Sequence, residues 1–269
     1  MQHLLSVWPE LMENLSRAKR ILFLADYDGT LTPIVATPDL AIIGEETRNL
    51  LEKLANHPRF IVGIISGREL TDLKSKVNVE GLVYAGNHGL EIESPKGSLF
   101  NPVSGQMRTL ICTVGQVLGT ALASIKGVFV EDKGLTLSVH YRLVDEANVE
   151  TFKDKFEKVV NGIKATGKVS VSAGKKVYEV KPAINWDKGK AIKLLMKMYG
   201  KGGWKSGLLP IYIGDDTTDE DGFKVIERYR NGVTIFVGEE SQASAARYFL
   251  GSTDEVTQFL KKLLKYAES

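Results

Sequence analysis

Short apolar runs punctuate this chain, and most of them stop at polar or glycine-rich residues. Ile21–Ala25 runs into Asp26, Tyr27, Asp28, Gly29 and Thr30, and Phe60–Ile65 into Ser66, Gly67 and Arg68. Leu82–Ala85 ends in Gly86, Asn87, His88 and Gly89, Leu208–Ile213 in Gly214, Asp215 and Asp216, and Val233–Val237 is a fifth run. Between and after them, apolar residues recur at helical spacing over Glu45–Ala55, Thr71–Val77, Asp187–Met198, Glu220–Tyr229 and Asp254–Ala267. Leu4, Leu5, Trp8, Leu11, Met12 and Leu15 predict an amphipathic first helix. Strands apolar on both faces, separated by amphipathic helices, predict an α/β fold with a parallel sheet covered on each side.

The middle of the chain is patterned differently. From about Gly105 to Pro182 there is a helical stretch, Met107–Ser124, then Val128–Val130 and an alternating segment, Leu135–Tyr141. A second helical stretch, Asn148–Lys164, precedes Val169–Ser172 and Val177–Lys181. Alternation predicts strands with one packed and one exposed face, hence an antiparallel sheet backed by helices. The expected organisation is therefore a core formed by residues 1–104 and 184–269, interrupted by an α+β insert over 105–183. Hinges are expected where the chain crosses, near Asn101–Gly105 and Pro182–Asp187.

Composition narrows the field without deciding it. The 269 residues are 43% hydrophobic and 25% charged, as in a folded soluble protein, and the net charge of +2 gives no reason to expect nucleic acid or a membrane surface as partner. The apolar runs are too short to span a bilayer, and Glu10 and Glu13 interrupt the N-terminal pattern, so neither a membrane span nor a signal peptide is expected. One cysteine, Cys112, excludes an intramolecular disulfide and fits a reducing compartment, so the expected location is cytoplasmic.

The chemistry lies at the strand ends. In an open parallel sheet the carboxyl ends of the strands face one crevice, where ligands bind. Here they deliver Asp26, Asp28, Ser66, Asp215 and Asp216. Carboxylates gathered in one crevice repel, which raises their pKa values, and a divalent cation relieves this. All-oxygen donors favour a hard ion, Mg²⁺, and Mg²⁺ on carboxylates generally serves a phosphate. The Ser66 hydroxyl, the Gly67 N–H and Lys188 at a helix start are further phosphate contacts. Singly, each has an ordinary structural reading as a turn residue, helix cap or solvated lysine. Their order along the chain, each just beyond a strand or at a helix start, is what points to one site.

Taken together, DYDGT, SGR, Lys188 and GDDTTDE resemble the four ordered motifs of the haloacid dehalogenase-like phosphohydrolases. The resemblance implies a Rossmann-like core with an inserted α+β cap of the C2 type. It implies Asp26 as nucleophile and Asp28 as general acid and base, and a metal bound by the Asp26 side chain, the Asp28 backbone carbonyl and Asp215. Asp216 and Asp219 would support that metal from behind its ligands, and Ser66, Gly67 and Lys188 would hold the phosphate.

A narrower resemblance covers nearly the whole chain. GNHGLE (Gly86–Glu91), EDKGLTLSVHYR (Glu131–Arg142), GKKVYEVKP (Gly174–Pro182) and NWDKGKAI (Asn185–Ile192) are similar to segments of trehalose-6-phosphate phosphatases. This implies a small sugar phosphate as substrate, trehalose 6-phosphate, hydrolysed to trehalose and inorganic phosphate, with Glu131, Lys133, Arg142, Lys176 and Glu179 contacting the sugar and Asn87 and His88 completing the pocket. Arg68, Glu91 and Lys181 are left as supporting or interdomain contacts. Other readings remain open at this level: a phosphatase for sucrose phosphate, mannosyl-phosphoglycerate or glucosylglycerol phosphate, a phosphomutase, and a non-catalytic sugar-phosphate sensor. Whether a trehalose-phosphate synthase partner binds is unresolved by the pattern.

Overall fold

In a computed structural model of the chain, which describes all residues except 36, 98, 175, 201–206 and the side chain of residue 99, two compact units separate. One comprises Met1–Phe100 and Trp186–Ser269, the other Asn101–Asn185.

The first unit starts with strand β1 (Gln2–His3), a 3-10 turn over Leu4–Val7 and helix α1 (Trp8–Arg17). The single N-terminal helix expected from the pattern is thus broken. Pro9 sits in its first turn, where the missing N–H costs nothing and the fixed φ starts a new helix. Strand β2 (Arg20–Ala25) leads through a long loop to α2 (Glu45–Asn56), β3 (Phe60–Ile65), α3 (Leu70–Val77) and β4 (Val83–Gly86). Two short strands follow, β5 (Glu91–Glu93) and β6 (Leu99–Phe100).

The second unit holds α4 (Gly105–Leu122), β7 (Phe129–Asp132), β8 (Leu137–His140), α5 (Glu146–Lys164), β9 (Val169–Gly174) and β10 (Val177–Pro182). The chain then completes the first unit with α6 (Lys188–Tyr199), β11 (Leu208–Gly214), α7 (Glu220–Ile226), β12 (Val233–Val237), β13 (Tyr248–Leu250) and α8 (Thr253–Glu268).

Among the described residues the first unit carries a nine-stranded sheet in the order β1-β13-β12-β11-β2-β3-β4-β5-β6. Pairings from β1 to β4 are parallel; β4–β5 and β5–β6 are antiparallel. The run-to-motif pattern did not announce β5 and β6, which are too short to show a period. Side chains of the central strands alternate between two apolar layers. Ile21, Phe23, Leu209, Ile211 and Ile213 pack with α1, α2, α3 and α8, whereas Leu22, Leu24 and Tyr212 pack with α6 and α7. Burial on both faces is why these strands read as continuous apolar runs.

Strand order reverses direction at β2: β3 and β4 extend one way, β11, β12 and β13 the other. Adjacent strands β11, β2 and β3 therefore bring their carboxyl ends to one switch point, which carries Asp215, Asp26 and Ser66.

In the second unit an antiparallel sheet, β7-β8-β10-β9, buries Leu137, Val139 and Val180 against Ile111, Val114, Leu118, Phe152, Phe156 and Val160 of α4 and α5. Its other face carries Glu131, Ser138, His140 and Glu179. No helix among the described residues is long and apolar enough to cross a membrane.

Candidate active site

The first acidic motif forms a tight turn at the end of β2. The ladder continues one residue past the strand, with Asp26 N–H donating to the Ile213 carbonyl at 2.9 Å, so the Asp26 backbone is fixed and its side chain is buried. The Tyr27 carbonyl closes the turn by accepting from Leu31 N–H at 2.9 Å and Thr32 N–H at 3.0 Å. Gly29 adopts φ +85°, and a β-carbon there would stand 2.1 Å from Asp215 Oδ2. Glycine is required on both counts, because the Asp215 carboxylate lies directly against the turn. Thr30 Oγ1 donates to that carboxylate at 3.2 Å.

Lys188 reaches the same place from another part of the chain. Asp187 caps α6, its carboxylate accepting from Lys190 N–H at 2.8 Å, and this sets Lys188 as the first helical residue. Its buried ammonium donates to Asp26 Oδ1 at 2.6 Å and to Asp219 Oδ1 at 2.7 Å. Asp219 Oδ1 also accepts from the Tyr212 hydroxyl, while Oδ2 accepts from the N–H groups of Asp215 and Asp216 at 3.1 and 3.0 Å. A carboxylate offers about four lone-pair sites, and those of Asp219 are all engaged. Asp219 therefore holds Lys188 and the Asp215–Asp216 turn in place, behind Asp26 and Asp215. The exposed Asp216 carboxylate caps its own turn, accepting from Thr217 N–H at 2.6 Å and Thr217 Oγ1 at 3.1 Å.

Electrostatically, this is a site short of positive charge. Carboxylate oxygens of Asp26, Asp215 and Asp219 lie within 4.8 Å of one another, and Lys188 is ion-paired with Asp26 and Asp219. Burial lifts the Asp26 carboxyl well above the ordinary range; Lys188 opposes this, and Asp219 and Asp215 add to it. Burial, then the Asp219 charge, push Asp215 up to about 7. Lys188 stays firmly protonated, because Asp219 and Asp26 outweigh its desolvation. Burial and the Asp219 charge likewise keep the Tyr212 phenol neutral. Three carboxylates against one ammonium, with oxygen as the only donor type, suit a hard divalent cation.

The third strand end adds the Ser66 loop. Ser66 is buried, and its Oγ accepts from Arg68 N–H at 3.1 Å. His88 N–H donates to the Ser66 carbonyl at 2.8 Å, and Asn87 N–H to the Arg68 carbonyl at 2.7 Å. A β-carbon on Gly67 would stand 2.8 Å from the His88 ring, so only glycine lets the two loops meet. Asn87 and His88 both have positive φ and flank the Ser66 loop in the first unit. Asn87 is fully buried and donates from Nδ2 to Glu91 at 3.3 Å.

In the second unit the candidate residues divide. Glu131 and Glu179 are both registered opposite Ser138, which places them in one row across β7, β8 and β10. His140 Nε2 lies 2.9 Å from Glu131 Oε2, and Lys133 Nζ 3.8 Å from it. Arg142 is exposed just beyond β8. Lys176 departs from this group. Its ammonium donates to Glu146 at 2.8 Å, at the start of α5, and lies 5.8 Å above the Tyr141 ring, which stacks on Phe152 and Tyr178.

Sequence reading did not single out Tyr212 or Thr30, and it left Arg68 without a definite role. Tyr212 was hidden inside an apolar run; its one signal was a hydroxyl two residues before Gly214.

Comparison with known proteins agrees with this arrangement. A model of the family described as trehalose-phosphatase matches residues 24–254. A rice protein named "Probable trehalose-phosphate phosphatase 3" is 38% identical over 96% of this chain and 73% of its own length. The maize "Trehalose 6-phosphate phosphatase RA3" is 36% identical over 92% of this chain and 71% of its own. Among solved structures, the C-terminal domain of the Candida albicans trehalose-6-phosphate phosphatase superposes with a TM-score of 0.80 at 27% identity, covering 96% of each chain.

Proposed function

This chain belongs to the trehalose-phosphatase family, and on that premise we propose that it hydrolyses trehalose 6-phosphate by way of a phosphorylated Asp26. Asp26 attacks phosphorus while the bond from phosphorus to the sugar oxygen breaks, and Asp28 gives its proton to that oxygen. Asp28 then takes a proton from water as the water attacks phosphorus, and the bond to Asp26 breaks, releasing inorganic phosphate. Two carboxylates thus divide one difficult hydrolysis into two easier steps.

The observation that carries this reading is the Lys188 ammonium, held 2.6 Å from Asp26 Oδ1 at the switch point of the sheet. It opposes the rise that burial imposes on the Asp26 carboxyl and offers positive charge to the phosphoryl oxygens as they approach. Ser66 and Gly67 stand at the neighbouring strand end to hold the phosphate. The donor set fits Mg²⁺: the Asp26 and Asp215 carboxylates and the Asp28 backbone carbonyl would hold it, with Asp219 orienting Asp215. When bound, Mg²⁺ supplies positive charge that offsets the repulsion among the carboxylates and screens the phosphate.

Glu131, Lys133, Arg142 and Glu179 would contact the sugar hydroxyls, whereas Lys176 is engaged with Glu146. The intact set of Asp26, Asp28 and Lys188 favours turnover over a silent sensor. Phosphate release measured across a panel of sugar phosphates, with and without Mg²⁺, tests the proposal. Trehalose 6-phosphate should give the highest kcat/KM, and a better substrate in the panel would refute the assignment.

A further inference from the structure

Arg68 is nearly inaccessible, at 7% exposure, yet it carries a full charge outside the Lys188 cluster. Its Nε donates to Asp28 Oδ2 and its Nη2 to Asp28 Oδ1, both at 2.7 Å, a bidentate clasp. The same guanidinium is anchored from behind. Nη1 donates to Asp72 on α3 at 2.8 Å, Nη2 donates to the Pro38 carbonyl at 2.8 Å, and the group lies 5.3 Å above the Tyr27 ring. A planar fork with this many fixed partners has one orientation. The Asp28 side chain, by contrast, is 43% exposed.

We propose that Arg68 is a positioning residue for the reaction, fixing the direction of the Asp28 carboxylate through the bidentate clasp. The inference rests on the reading of Asp28 as general acid and base. The clasp takes one lone pair from each carboxylate oxygen and leaves another on each for the transferred proton. Without it, the carboxylate rotates about its own side-chain bonds, and the geometry on which proton transfer depends is lost.

A series of simple aryl phosphates tests this independently of the sugar pocket, and so independently of whether trehalose 6-phosphate is the preferred substrate. The ratio kcat/KM reports the step in which the leaving oxygen departs. Phenyl phosphate needs a proton there; 4-nitrophenyl phosphate, whose leaving group is stable as an anion, hardly does. Arg68→Gln should lower kcat/KM for phenyl phosphate by about 10²-fold, at the lower end of what a positioned acid contributes. The same variant should leave 4-nitrophenyl phosphate within about threefold of wild type, since general acid catalysis contributes little there. Arg68→Lys, with one donor head instead of a fork, should restore part of the loss on phenyl phosphate. Asp72→Asn, which loosens the anchor but leaves the clasp, should give a smaller loss with the same selectivity, and provides the readout if Arg68→Gln does not fold. Equal losses on the two esters in a folded variant, or no loss on either, would overturn the proposal.

Discussion

The two units present their polar residues in opposite ways. In the first, Asp26, Lys188, Asp219 and Tyr212 are buried and tied to one another, so each side chain has its direction set by at least one other. In the second, Glu131, Glu179 and His140 stand on one face of a sheet whose opposite face does the packing. The first arrangement suits a reaction in which an error of an ångström is costly; the second suits recognition, where hydroxyl groups are read by several adaptable contacts. If this contrast is correct, mutations in the buried cluster of Asp26, Lys188, Asp219 and Tyr212 should act on turnover whatever the ester. Those on the sheet face should act on the choice of substrate.

The largest effect is expected at Asp26. Asp26→Asn removes the proposed nucleophile and should lower kcat by at least about 10⁴-fold on every phosphate ester, with an unchanged circular dichroism spectrum. Residual activity near wild type would transfer the nucleophilic role elsewhere.

Metal removal comes next. EDTA should reduce kcat by about 10²-fold or more, and Mg²⁺ should restore it. A second readout follows from Asp215, lifted to about 7, and from Asp26, lifted in the same direction. A carboxyl with a raised folded-state pKa adds stability below its ordinary range near 4, and that stability is lost as pH rises towards 7. The EDTA-treated protein should therefore lose Tm from pH 5 to pH 8, and Mg²⁺ should raise Tm more at pH 8 than at pH 5. An Mg²⁺ effect on Tm independent of pH would separate the cation from these carboxylates.

Glu179 tests the other half of the contrast. If Glu179 contacts the sugar as proposed, Glu179→Ala removes one charge-assisted hydrogen bond, about 10²-fold in kcat/KM for trehalose 6-phosphate. A small generic ester such as 4-nitrophenyl phosphate should be nearly unaffected. Equal losses on both would mean that the sheet face is not a reader of sugar.

The same contrast explains what could be read from the chain. Asp26, Ser66 and Asp215 were legible because a strand buried on both faces is a continuous apolar run, and the residue after it must lie at the sheet edge. Lys188 was legible because it falls in the first turn of the helical pattern Asp187–Met198. The partners of these residues were not. Which lone pair of Asp219 meets Tyr212, or which carboxylate Arg68 grips, depends on packing across elements far apart in sequence. Asp216 and Asp219 look equivalent in GDDTTDE, yet one caps its own exposed turn and the other is buried at the centre of the cluster. On the sheet face, the Val177–Lys181 run placed Glu179 on a strand, and Glu131 was singled out only by the resemblance of EDKGLTLSVHYR. Neither showed that Lys176, at a positive-φ turn beyond that face, would pair with Glu146. β5 and β6 escaped notice because three residues and two cannot display a period.

The smallest effect, and the finest probe of the contrast, is at Tyr212. Tyr212→Phe keeps the ring against Phe223, at 5.5 Å between centroids, and deletes only the hydroxyl that donates to Asp219. The cost in stability should be about 1–3 kcal/mol, because a buried carboxylate loses one donor, and it should appear as a lower Tm. If Asp219 aligns both Lys188 and the Asp215 turn, loosening it should lower kcat by roughly tenfold, less than the loss from a full misplacement, with KM for trehalose 6-phosphate unchanged. The loss should be the same for 4-nitrophenyl phosphate, since nothing about the sugar has been altered. Burial holds the phenol neutral in the wild type, so the hydroxyl is a donor throughout the working range and the kcat ratio of variant to wild type should not vary with pH. A loss confined to the sugar phosphate would show that the two units are not divided between chemistry and recognition in the way the burial of their side chains implies.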